Sequence, residues 1–226
     1  MNPWKKAYCR AFQLVMRAAL PFMPYHQPAL IEGLSGVPAV LRQHGIARVL
    51  LVTDPGVRAR NLTAPLEAAL HTAGIACAIY DQTVANPTTT NVEEALALYR
   101  EQGCQGLIGF GGGSSMDCAK AVGARVARPN RSLGQMEGLL KVGKKIPLLV
   151  AVPTTAGTGS ETTLAAIITD PNEHRKYPIN DFPLMPPYHV LDPDLTVSLS
   201  PELTATTGMD AMTHAVEAFI GRSTNA

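Results

Sequence analysis

The chain has 226 residues, room for one large domain or two average ones. Hydrophobic residues make up 46% and charged residues 16%, a globular balance that excludes a disordered chain. Lysine and arginine number 19 against 18 aspartates and glutamates, and a net charge of +1 excludes a broad basic grip on nucleic acid.

Residues Met1 to Phe22 come first in chain order. Lys5 and Lys6 precede an apolar stretch from Ala11 to Leu20, which has the outline of a signal peptide. Gln13 and Arg17 interrupt it, and Pro21, Pro24 and Pro28 follow where a small-residue cleavage site would stand. The stretch predicts an amphipathic helix packed on the body of the protein; the alternative is contact with a membrane surface. No run of ~18–20 uninterrupted apolar residues occurs, so no transmembrane helix is expected. Cys9, Cys77, Cys104 and Cys118 form no CxxC pair. Cys77, Cys104 and Cys118 sit in apolar neighbourhoods and read as reduced core cysteines, and a cytoplasmic location is expected.

From residue 29 the chain alternates β-rich and helical runs. Arg48–Thr53, Ala76–Tyr80, Gly106–Phe110 and Pro147–Val152 read as buried strands. Leu62–Ala73, Asn91–Gln102 and Ser115–Ala127 read as helices between them. This alternation predicts βαβ units and a doubly wound parallel sheet, which binds ligands at the carboxyl ends of its strands. Those ends carry Asp54, Gly111–Gly113 and Thr154–Thr155. After Pro201 the pattern is helical throughout. The predicted division is an N-terminal extension over 1–28, an α/β domain over 29–200 and the beginning of a helical domain over 201–226.

Three motifs carry chemistry. Gly111-Gly112-Gly113-Ser114-Ser115-Met116-Asp117 follows a strand and opens a helix, where bare backbone and free N–H groups favour an anion. Ser114 and Asp117 have the spacing of a capping box. The GxGxxG fingerprint is not met, since Gly109 and Gly111 fit but Ser114 takes the third glycine slot. A Walker A motif fails as well, because Lys145 stands where Ser or Thr should follow Lys144. The turn is a phosphate site or a plain tight connection. Next, Pro153 to Thr163 concentrates hydroxyls, including Thr154, Thr155, Thr158 and Thr163, at a strand end. These suit phosphate or ribose oxygens, or else cap the next element. Third, Asp210 and His214 stand four apart, so a helix brings both to one face. Alone, such a pair is a surface interaction. With company it suits Fe(II), Zn(II) or a similar ion, and Glu217 is a candidate third ligand.

Taken together, GGGSSMDCAK (Gly111–Lys120), PTTAGTGSE (Pro153–Glu161) and TGMDAMTHAVEAFIG (Thr207–Gly221) resemble the iron-containing (group III) alcohol dehydrogenases. Family-like stretches also occur at Leu50–Gly56, Ala85–Thr88, Asn91–Cys104 and Leu191–Pro201. The resemblance runs from about residue 29 to the end. It implies a Rossmann-like α/β domain followed by an all-helical domain, with NAD(P) and a divalent metal, iron or zinc, between them. By position, Asp54 would meet the adenosine ribose and Asn86 would lie beside the cofactor. Gly112, Gly113, Ser114 and Asp117 belong to the pyrophosphate turn. Thr154, Thr155, Thr158 and Thr163 would contact the cofactor further along, with Lys176 and Leu195 closing over it. An acid at position 54 favours NAD over NADP, because it repels an extra ribose phosphate.

Asp210 and His214 match the family's first two metal ligands; the other two are histidines of a following helical segment. His26, His44, His71, His174 and His189 all precede Asp210. The expectation is therefore an incomplete chain of a homodimeric enzyme that moves a hydride between NAD(P) and a small alcohol or aldehyde. Neither nucleic acid nor membrane is expected as a partner. Two alternatives stay open. One is a nucleotide-binding module without catalysis. The other is a metal-independent reductase of the maleylacetate branch, against which the Asp210/His214 pair counts.

Overall fold

In a computed structural model, residues 3–19, 22 and 24–221 are described. Strands β1 (Ala29–Ile31), β2 (Arg48–Val52), β3 (Ala76–Tyr80), β4 (Gly106–Gly111), β6 (Leu148–Pro153) and β9 (Tyr188–Val190) make one sheet. Its order is β1-β9-β6-β4-β2-β3, and every pair is parallel. Alternation along the strands divides the apolar residues between two faces. Leu50, Leu107 and Leu149 meet Val92, Leu96 and Ala119 from helices α5 (Thr89–Glu101) and α6 (Gly113–Ala127). Leu51, Ile108, Phe110 and Val150 meet Val37 and Leu41 of α2 (Val37–Gln43) and Leu66 and Leu70 of α4 (Ala64–Thr72). This is the doubly wound Rossmann-like α/β fold that the alternation predicts. Thr88 caps α5 through a reciprocal bond pair with Asn91, so that helix starts earlier than its apolar stripe suggests.

A second sheet is new. Strands β5 (Gly138–Leu139), β7 (Ala165–Asp170) and β8 (Arg175–Asn180) pair in the order β5-β8-β7, with β7 and β8 antiparallel. The Asp170 carboxylate accepts the Asn172 and Glu173 amides and closes their turn. The hairpin packs on α6, opposite the main sheet's β4.

Chain order places the reversal point of the main sheet between β2 and β4. From β2 the chain goes outward to β3, then returns to β4 on the other flank. The carboxyl ends of these two strands diverge into separate connections and leave a crevice between them.

Two helices bury none of their described side chains in this core. Helix α1 (Pro3–Ala19) forms as predicted, but its described side chains are exposed, including Trp4, Tyr8, Leu14 and Val15. The expected packing on the body is not found. Helix α7 (Pro201–Ile220), capped by Ser200, has no buried residue. No helix among the described residues is long and apolar enough to cross a membrane.

Candidate functional site

The crevice at the β2/β4 reversal is a cleft of about 570 Å³. Asp54, Gly112, Gly113, Ser114, Thr154, Thr155 and Thr158 line it, so seven of the residues singled out in the sequence meet in one place. Val84 and Ala85 after β3 add to the wall, as do Leu203 and Thr207 of α7.

Asp54 follows β2 and caps the short helix α3 (Pro55–Ala59), with Oδ1 accepting the Val57 amide at 3.0 Å. Its Oδ2 accepts the Ser115 hydroxyl at 3.2 Å, which ties the β2 end to the β4 end. Ser115 therefore aims the acid, a role that its place in the glycine turn does not reveal. At Gly111 the backbone adopts φ +146°, and a Cβ would stand 2.5 Å from Ser115 Oγ and 3.1 Å from Asp54 Oδ2. Only glycine fits that close approach.

The predicted capping box at α6 is not formed. Gly112 is the N-cap and no side chain bonds there, so the first-turn amides have no side-chain competitor for an anion. Ser114 Oγ instead accepts the Asn86 amide at 3.2 Å. Asn86 adopts φ 58°, a left-handed conformation that asparagine tolerates. Its Oδ1 accepts Lys176 Nζ at 2.7 Å, so β8 and the segment after β3 join above the turn.

Asp117 turns the other way. Its carboxylate accepts Ser160 Oγ at 2.9 Å and the Ile167 amide at 3.1 Å, beneath the threonine loop. Burial raises its pKa, against the pull of Lys120 and these two hydrogen bonds. Thr163 also lies beneath, its hydroxyl and carbonyl both accepting from Lys120 Nζ. Leu195 is buried in the core layer that holds α2 and α4. Asp117, Thr163 and Leu195 thus support the cleft without lining it.

Lys120 is the residue that sequence reasoning passed over. It is fully buried, and its ammonium reaches Ser160 O at 2.6 Å, Ser160 Oγ at 3.1 Å, Thr163 O at 2.9 Å, Thr163 Oγ1 at 3.0 Å and Ala165 O at 2.9 Å. Three N–H donors shared among five oxygens pin the whole loop between β6 and β7. Burial pushes its pKa down to about 8, opposed by Asp117 and Glu161. The available signal was a cation amid the small apolar run Cys118–Ala124 of α6, one turn after Asp117.

On the cleft side of that loop, the buried Thr155 Oγ1 has no hydrogen-bond partner among the described residues. A desolvated hydroxyl facing a cleft is a waiting contact for a polar ligand. Gly113 lies against the loop too, since a Cβ there would stand 3.2 Å from Thr158. Asp210 Oδ1 and His214 Nε2 lie 3.6 Å apart on α7, both exposed. No cluster of three or more His, Cys, Asp or Glu side chains occurs among the described residues, so Glu217 does not complete a set.

A family model of iron-containing alcohol dehydrogenases matches residues 32–193. Alcohol dehydrogenase 4 of Schizosaccharomyces pombe is 40% identical over 185 residues, 82% of this chain and 44% of that protein. The NAD-dependent methanol dehydrogenase of Bacillus methanolicus is 37% identical over 198 residues, 86% of this chain and 52% of that one. A crystal structure of 1,3-propanediol oxidoreductase superposes with a TM-score of 0.85 at 36% identity, covering 89% of this chain and 53% of that one. A sulfoacetaldehyde reductase from Bifidobacterium kashiwanohense in complex with NAD+ superposes at 0.79 with 28% identity, over 89% and 54% of the two chains. The chain therefore spans about half the length of the relatives it matches. With a parallel sheet, a glycine turn and a threonine loop meeting at its reversal point, the chain belongs to the iron-containing alcohol dehydrogenase family.

Proposed function

We propose that the β2/β4 cleft binds NAD and that the whole protein oxidises a small primary alcohol, or reduces its aldehyde, with the help of a divalent metal. One observation carries the cofactor reading. Asp54, the uncapped start of α6 and the unpartnered Thr155 hydroxyl share one mouth, so an acid for a ribose and donors for a pyrophosphate lie together. The chemistry of the donors fits a dinucleotide. Gly112 and Gly113 let the phosphates approach the backbone, Ser114 and Thr155 offer hydroxyl donors, and Lys176 with Asn86 covers the turn. Asp117, Thr163 and Lys120 act beneath as positioning residues, and Leu195 packs the adjoining wall. Substrate kinds follow from relatives named as methanol dehydrogenase and lactaldehyde reductase.

For a metal, Asp210 and His214 present an oxygen and an imidazole nitrogen 3.6 Å apart, which fits part of the donor set of iron or zinc. Bound nicotinamide supplies the redox chemistry and the divalent ion the Lewis acidity. The residues here orient the cofactor, hold its phosphates and set the preference at its ribose.

Titration of NADH fluorescence tests this reading. Asp54→Asn keeps an acceptor for the Val57 amide and removes the charge, so NADPH affinity should rise at least ~10-fold relative to NADH. An unchanged ratio would remove Asp54 from the ribose site. In metal-loaded protein, Asp210→Ala should abolish metal-dependent alcohol turnover while NADH affinity stays within about twofold.

A further inference from the structure

Helix α1 belongs to none of the machinery above, and the family model begins at residue 32, after it. At 3.6 residues per turn, Trp4, Tyr8, Phe12 and Val15 fall within ~80° of one another around the axis. Tyr8 and Phe12 stack along that stripe with ring centroids 6.4 Å apart. Trp4 is 83% exposed and Val15 63%, so the stripe faces solvent. Lys6 and Arg10 lie on the opposite side, and Lys5 on the flank. Lys5, Lys6, Arg10 and Arg17 are all cations, and the first acid of the chain is Glu32.

Helix α7 is the instructive contrast. It also exposes apolar residues, Met212 and Phe219 among them, but it carries Glu202, Asp210 and Glu217 with no lysine or arginine. Its charge repels an anionic surface, whereas that of α1 attracts one. An aromatic stripe backed by cations and free of acids is the composition of a helix that lies in a lipid interface: the rings sink to the headgroup boundary and the cations meet the phosphates. Pro21, Pro24 and Pro28 stand between α1 and the sheet domain in the sequence, the composition of a semi-rigid spacer.

We propose that α1 is a peripheral membrane anchor that docks its Trp4–Val15 stripe onto bilayers rich in anionic phospholipid. Helix α1 has 17 residues and carries Lys5, Lys6, Arg10 and Arg17, too short and too charged to cross a bilayer, so its attachment is to one leaflet and reversible. It takes up the membrane-surface alternative that this stretch leaves open.

The chain has one tryptophan, Trp4, so its emission reports on this helix alone. Mixing the full chain with phosphatidylglycerol-containing vesicles should shift Trp4 emission to the blue and sediment the protein with the lipid. Pure phosphatidylcholine vesicles should bind it at least ~10-fold more weakly, and raising the salt should release it. The surface variant K6E/R10E should lose vesicle binding at least ~10-fold while keeping its circular dichroism and its NADH affinity. Phe12→Asp should lose the blue shift. No shift on anionic vesicles would overturn the proposal, as would equal binding to neutral ones. A blue shift in lipid-free protein that grows with protein concentration would also overturn it, placing a second copy on the stripe.

Discussion

At Gly111, φ of +146° and the two oxygens within about 3 Å of a would-be Cβ leave no room for alanine. Gly111→Ala must displace Ser115 and with it the Asp54 carboxylate, so NADH affinity should fall at least ~10-fold, read by fluorescence titration. Unchanged affinity would show that the turn does not shape the cofactor cleft. At Lys120 the lever is different, because the lysine touches nothing in the cleft. Lys120→Met keeps the stem's volume but leaves the Ser160, Thr163 and Ala165 carbonyls without their shared donor, so the threonine loop should loosen. The expected result is faster amide exchange confined to residues 154–167 and weaker NADH binding. Asp54, Gly112 and Ser114 were legible in the sequence as cleft-lining residues because each lies within three residues of a strand's carboxyl end, where a doubly wound sheet opens its crevice. Lys120 was not, because its partners lie 40 to 45 residues further along. Only the hairpin's return onto α6 brings them under it.

Among elements, the hairpin β7–β8 shows why half of the supporting structure escaped sequence reading. Pro178 inside Arg175–Asn180 argues against a strand between two neighbours. The structure tolerates it because Ile167, its partner across β7, gives its amide to Asp117 and not to β8. That pair is a non-hydrogen-bonded one, so the missing N–H of Pro178 faces the β5 side, where pairing begins only at Ile179. The same carboxylate explains why Asp117 does not complete a capping box. The threonine loop also meets α7 closely: a Cβ on Gly157 would collide with the Thr207 carbonyl. Gly157→Ala should therefore cost about 1–3 kcal/mol in urea denaturation, through displacement of the loop or the helix. A neutral substitution would mean that α7 docks loosely on the cleft.

For the whole molecule, buried titratable groups set opposing trends with pH. Lys120 ionises at about 8 in the fold against 10.5 for an unperturbed lysine. Between those values the unfolded chain holds more protons, so this group adds stability as pH rises. Cys77 and Cys118, raised by burial from 9.0 to about 12, act in reverse: their contribution is full below pH 9 and is lost as pH climbs above it. Two thiols outweigh one ammonium. The urea midpoint should rise between pH 8 and about 9 and fall beyond it, and Lys120→Met should erase the rise while leaving the fall.

The contact between Lys176 and Asn86 spans 90 positions and closes over the glycine turn at the exposed rim of the molecule. A solvent-accessible bond of this type contributes about 1 kcal/mol net, so thermal motion breaks it readily. It is a side-chain hydrogen bond that joins β8 to the segment after β3. Breaking it would uncover the glycine turn while both sheets stay intact, so the proposed dinucleotide would need no rearrangement of the core to enter.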